Sequence, residues 1–211
     1  MAWEVSLVSN LAKCRGLTLI ELLVATTIGI LALSVMVSTF LTGTKTAVRI
    51  TDSSYFSSEF YDVSRFILDD MRRAGYAIEG ARTGSVRWAG ATSELSILSS
   101  NQCIAYAYEF DDSGTEMIRY STVFYFAADK VIRLYTLEKE IKDTTTLIPN
   151  VTEACGKGDR WGEAITDNKS MQVKALTFDG TNAPLYEVDI QVHSKLTGQD
   201  DVMAFQVFLM N

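Results

Sequence analysis

Histidine occurs once in the 211 residues, at His193, while cysteine occurs three times and proline twice. With no cysteine at metal-ligand spacing from that histidine, and no Ser/His/Asp constellation around it, neither a metal centre nor a nucleophilic active site is expected. Few prolines and 47% hydrophobic residues argue against disorder and for one domain of ordinary size. Basic residues are outnumbered: 19 Lys and Arg against 26 Asp and Glu give a formal charge of −7. Such a chain is poorly suited to holding phosphate backbones through counterion release. No cofactor, metal, nucleic-acid partner or enzymatic activity is expected.

The longest absence is of charge. No charged side chain stands between Leu22 and Thr44, and a helix over that stretch, rising about 1.5 Å per residue, can cross a hydrocarbon core of about 30 Å. Lys13 and Arg15 precede it, which places the N-terminus in the cytoplasm and the remainder outside. A cleaved secretory signal fits poorly, because its apolar region runs about 7–15 residues and ends in a small-residue cleavage site. Glu21 is the anomaly. A carboxylate at the head of an apolar run is costly in hydrocarbon, so it reads either as a group resting at headgroup level or as a functional one.

Gly16-Leu17-Thr18-Leu19-Ile20-Glu21-Leu22-Leu23-Val24-Ala25 resembles the prepilin motif of type IV pilins and of type II secretion pseudopilins. That motif is a short basic leader ending in glycine, an apolar residue at the new N-terminus and a glutamate four residues on. The run from Ser64 to Tyr76, containing Arg72-Arg73-Ala74-Gly75, is similar to the end of the N-terminal helix in PilW-type minor pilins. The resemblance implies a cut between Gly16 and Leu17 by a prepilin peptidase, with methylation of the Leu17 amine. It further implies a pairing of Glu21 with the N-terminal amine of a neighbouring subunit, and a role in starting a pilus. The implied partners are other minor pilins, the major pilin, the prepilin peptidase and the inner membrane; the implied destination is the periplasm and the pilus at the cell surface. A J-type pseudopilin of type II secretion shares the architecture, and a membrane-anchored extracytoplasmic binding module is the rival from another class. Two positions depart from the pattern. Leu17 stands where most members carry phenylalanine, and Ser38 where major pilins commonly carry proline, which implies a straighter helix.

Beyond the apolar run, Phe56, Phe60, Val63, Ile67 and Met71 recur at helical spacing and form one apolar stripe. Asp52, Glu59, Asp62, Asp69, Asp70 and Arg73 read as the opposite, solvated face. Gly75 is a natural left-handed C-cap with Arg72 and Arg73 at the negative end of the helix dipole, giving a helix of about 58 residues, roughly 87 Å long.

After a Gly-, Ser- and Thr-rich connection over Glu79–Ser93, the period switches to two. Strands are expected over 103–110, 123–126, 131–135, 173–178, 185–192 and 203–209, with turns at 111–114, 128–130, 179–182 and 197–200. The fold class is therefore α+β: a long N-terminal helix packed on an antiparallel sheet. The expected domains are a leader (1–16), a membrane-spanning or filament-core helix (17–44), an amphipathic helix half (45–76) and a β-rich domain (77–211). Asp111, Asp112, Gly114 and Glu116 fit a plain hairpin better than a calcium loop. Trp88 and Trp161 fit buried aromatics better than a binding surface. Cys14 departs with the leader, which leaves Cys103 and Cys155 in an oxidising compartment, where a disulfide is expected.

Removing residues 1–16, with Glu4, Lys13 and Arg15, makes the mature chain one unit more acidic than the precursor. Mass spectrometry of the protein from membranes should find Leu17 at the N-terminus, and Gly16→Asp should leave the precursor uncut. Residues 1–16 still attached to the wild-type membrane protein would contradict this.

Overall fold

The computed structural model describes residues 18–78, 86–142, 150–155 and 162–209. Gly16, Leu17 and Trp161 lie outside the described residues. Among the described residues one α-helix, α1 (Leu19–Met71), is followed by eight strands, with a short 3-10 turn (Val151–Glu153) between the fourth and fifth: β1 (Leu95–Leu98), β2 (Cys103–Asp112), β3 (Thr115–Phe126), β4 (Val131–Glu140), β5 (Glu163–Ala164), β6 (Met171–Asp179), β7 (Leu185–Ser194) and β8 (Asp200–Phe208). The α+β class holds. The chain divides at Val48/Arg49 into two compact units, and α1 contributes to both.

In the first unit the helix is apolar and none of its described residues is buried. It is long and apolar enough to cross a membrane. Threonine and serine are indifferent helix formers in water because their hydroxyls compete for the backbone. Here those hydroxyls are absorbed within the helix: Thr26 donates to the Leu23 carbonyl at 2.9 Å, Ser34 to Ile30 at 2.8 Å, Thr39 to Val35 at 2.9 Å and Thr42 to Ser38 at 2.9 Å. The segment therefore offers lipid few unsatisfied polar groups.

In the second unit α1 presents its stripe to the sheets, and Phe56, Phe60, Val63, Ile67 and Met71 are all buried. They pack with Ile104, Tyr106 and Tyr108 of β2, Val123 of β3, Ile132 of β4 and the inner faces of β6–β8. The helix stops at Met71, earlier than expected. Arg73 donates to the Asp70 carbonyl and Ala74 to the Met71 carbonyl, tightening the last turn. Gly75 does take the left-handed conformation (φ 78°), yet its N–H crosses to the Ala107 carbonyl of β2 at 2.8 Å instead of closing back on the helix. The Glu109 N–H then donates to the Tyr76 carbonyl at 2.9 Å, and the Ile78 N–H to Glu109 Oε2 at 2.8 Å. The chain leaves the helix directly onto the edge of β2.

The strands form two antiparallel sheets, β1-β2-β3-β4-β5 and β6-β7-β8, where the sequence suggests one. Period-two alternation identifies a strand but not its partner, and the sheets are joined at turns: Val173 N–H to the Lys130 carbonyl and Phe178 N–H to the Asn101 carbonyl, both 2.8 Å. The β2–β3 hairpin closes through Ser113 (φ 52°) and Gly114 (φ 89°), a two-residue turn whose twist suits the strands. It extends β3 back to Thr115, well before the expected start at Val123.

Every residue of β2 from Cys103 to Glu109 is buried, because the strand is covered on both faces. Its second face is small, with Ala105 and Ala107. That leaves room for Trp88, whose ring meets Tyr120 edge-on at 5.4 Å and whose indole N–H donates to the Tyr106 carbonyl at 2.9 Å. Val86 and Trp88 are thus core within a stretch that reads as linker. Val151 and Ala154 complete this second core, and Cys155 bonds to Cys103 with a Cα–Cα distance of 6.3 Å across 52 residues of sequence. Replacing both cysteines by alanine should lower stability by about 2–4 kcal/mol in denaturant titration of the oxidised protein. An unchanged midpoint would show that the second core holds without the bond.

Candidate functional site

The chemistry-bearing groups of α1 lie at its two ends. At the amino end, the Thr18 N–H and hydroxyl both donate to Glu21 Oε2 at 2.9 Å, and the Glu21 N–H reaches back to Thr18 Oγ1 at 3.3 Å. This is a reciprocal capping box, satisfying two N–H groups at the helix start that would otherwise lack a partner within the helix. Sequence reasoning passes over it, although Thr-x-x-Glu ahead of an apolar run is its signature. Both Thr18 contacts use Oε2, and Glu21 stays exposed. The cleavage position Gly16–Leu17 falls outside the described residues.

At the carboxyl end, Asp70, which the sequence places on the solvated face, is turned inward and only 7% exposed. It is the fourth of a series with Val63, Ile67 and Met71, so the stripe's own spacing carries it onto β2. There Oδ2 accepts from the Tyr106 hydroxyl at 2.6 Å and Oδ1 from the Tyr108 hydroxyl at 2.7 Å. Arg119 Nη1 donates to the Tyr108 oxygen at 3.1 Å and its Nε to Glu138 at 2.8 Å, while Arg73 lies over the Tyr108 ring. A buried carboxylate is tolerated only when its lone pairs are occupied, and two phenols from alternate positions of one strand do this. Burial first, and then the Asp70 charge, push the Tyr106 hydroxyl well above the ordinary tyrosine range. Tyr108 is raised by burial and by its bond to Asp70.

Three further acidic groups, Glu59, Asp200 and Asp111, have structural partners. Glu59, half-buried rather than fully outward, caps the turn before β6, accepting from the Asp167 N–H at 2.9 Å and the Ser170 hydroxyl at 2.6 Å. His193 Nδ1 lies 2.6 Å from Asp200, which also accepts from Lys174 at 2.7 Å. In the β2–β3 hairpin Asp111 accepts from the Gly114 N–H at 2.6 Å. Among the described residues no group of three His, Cys, Asp or Glu is arranged to hold a metal ion.

A family model described as PpdB, prepilin peptidase-dependent protein B, matches residues 49–206. No curated protein and no solved structure matches the chain.

Because Tyr106 and Tyr108 are held neutral, their stabilising contribution is complete below the ordinary tyrosine pKa of about 10 and is lost as pH rises above it, when the unfolded chain ionises more readily. Denaturant stability measured against pH should therefore fall on the alkaline side, and Tyr106→Phe should flatten that fall. An identical alkaline slope in the variant would remove Tyr106 from the account.

Proposed function

The chain belongs to the prepilin peptidase-dependent protein B family, and from that membership we propose that it is a minor pilin that helps initiate a type IV pilus with other minor pilins. The observation that carries the reading is a separation. The family match begins at residue 49, whereas the prepilin-like motif occupies residues 16–25. A leader-and-helix signature and a domain match thus point to one kind of protein from non-overlapping parts of the chain. Pilin-like proteins are structural, and the reading assigns this one no catalytic step.

On this reading the prepilin peptidase cuts before Leu17 and methylates its amine. Residues 17–44 lie in the inner membrane and later in the filament core, residues 45–76 carry the helix into the domain, and residues 77–211 face the periplasm and then the pilus surface. The disulfide between Cys103 and Cys155 suits that oxidising side. The capping box refines the role of Glu21. Removal of residues 1–16 spares Thr18, so the mature chain keeps the cap. The contacts through Oε2 leave the other carboxylate oxygen to meet the N-terminal amine of a neighbour.

Deleting the gene should sharply reduce surface pili while the major pilin accumulates in the inner membrane. Complementation with Glu21→Gln, which keeps a capping acceptor but no charge, should restore membrane insertion and cleavage without restoring pili. Pili of normal number in the deletion strain, with only secretion of a substrate failing, would favour the pseudopilin reading. Full rescue by Glu21→Gln would show that the cap, and not the charge, is what Glu21 supplies.

A further inference from the structure

Strand β8 is the outer strand of its sheet. Its hydrogen-bond phase follows from both ends of the β7–β8 ladder, where the Ser194 N–H donates to the Gln199 carbonyl and the Leu209 N–H to the Pro184 carbonyl. These bonds set Tyr186 against Val207, Val188 against Phe205 and Ile190 against Met203 as the hydrogen-bonded pairs. The N–H and C=O groups of Val202, Ala204, Gln206 and Phe208 consequently point away from β7. The Val202 N–H is taken by the Asp201 side chain at 2.9 Å. Those of Ala204, Gln206 and Phe208 have no acceptor among the described residues.

Beside this edge runs a groove of about 280 Å³, walled by Tyr61, Leu68, Met203 and Phe205 and crossed by Arg65 and Arg72. The two guanidinium groups share one carboxylate, Asp69, at 3.5 and 3.4 Å. The groove therefore keeps a positive charge on a chain whose formal total is −7. Val202 and Phe208 on the outer face of β8 are 59% and 56% exposed. Unpaired edge groups, apolar walls and an uncompensated charge together describe a seat for an added strand.

We propose that β8 receives an extended segment of a different protein, which continues the sheet and lays alternate side chains into the groove, apolar ones against Tyr61 and Leu68 and a carboxylate against Arg65 and Arg72. A second copy of this chain could offer a similar pattern through Asp201, Met203 and Phe205 of its own β8, but only in an antiparallel pair. A formal charge of −7 on each copy opposes that self-pairing, so the occupant is a different protein whose segment matches the positive charge of the groove, and the strand seat itself rests on the geometry of β8.

The test places a photoreactive amino acid at Ala204 of the full-length protein in its native membrane and maps the cross-linked residues by mass spectrometry. Expected are cross-links to alternating residues of one extended segment that carries an acidic residue. Gln206→Pro removes an outward N–H without touching the β7 ladder and should cut the yield at least several-fold, as should Arg65→Glu with Arg72→Glu. Gln206→Thr, which loses the same side-chain bond to Glu187 but keeps the N–H, should leave the yield unchanged. If Gln206→Pro does not accumulate folded, the arginine variants decide. Cross-links to β8 of a second copy, to residues at helical spacing or to lipid alone would overturn the proposal, as would a yield indifferent to both the proline and the arginine changes. Because the readout is the cross-link and not the pilus, a protein that forms the strand contact but is dispensable for piliation would defeat the pilus reading and leave this one standing.

Discussion

One helix has to live in two surroundings, and the rest of the structure follows from how it does so. Up to Val48 no described residue of α1 is buried by the chain, so polar groups there are best satisfied within the helix. Back-bonded threonines, Ser34 and the Thr18–Glu21 cap meet much of that requirement. From Phe56 onward the same helix is the spine of a protein core. Its aromatic and aliphatic stripe shares one core with β2, β3 and β4 and with β6, β7 and β8, joining two sheets that share few backbone hydrogen bonds of their own.

Apolar packing by itself permits a helix to slide or turn against a sheet at modest cost. Asp70 restricts that freedom. Its two oxygens are matched to hydroxyls two residues apart on β2, and a displaced helix would leave the carboxylate and the two phenol O–H donors without one another, a loss of about 1–3 kcal/mol for each orphaned group. The network extends through Arg119 to Glu138, so the helix end is tied by polar bonds to β2, β3 and β4. Immediately afterwards the Gly75 N–H joins the β2 edge. The position where helix becomes sheet is thereby fixed from both faces.

Much of this is written in the sequence, and what is not has physical reasons. The stripe of Phe56, Phe60, Val63, Ile67 and Met71 is legible because burial on one face forces helical spacing. Asp70 occupies the same face but is charged, and composition argues against its position; only the pairing of Tyr106 and Tyr108 on β2, remote in sequence, makes its burial tolerable. Trp88 sits in a stretch whose glycines and serines read as linker, and its pocket exists only because Ala105 and Ala107 are small. The division into two sheets escapes pattern reading altogether, since alternation is the same whichever strand lies alongside. Four-residue β1 and two-residue β5 are too short to show a period. The capping box, by contrast, is legible in Thr18-x-x-Glu21, where a role for Glu21 between subunits is the competing expectation.

The two-surroundings account is tested most directly by spin labels placed singly along α1 in the full-length protein reconstituted into bilayers, with collision rates measured for oxygen and for a water-soluble nickel reagent. Labels from Leu22 to Phe40 should be reached by oxygen and shielded from nickel with little dependence on helix face. From Ser57 to Arg72 accessibility to nickel should oscillate with the helical period, lowest at the positions of the stripe and of Asp70. Nickel access throughout Leu22–Phe40, or no oscillation beyond Ser57, would contradict the account.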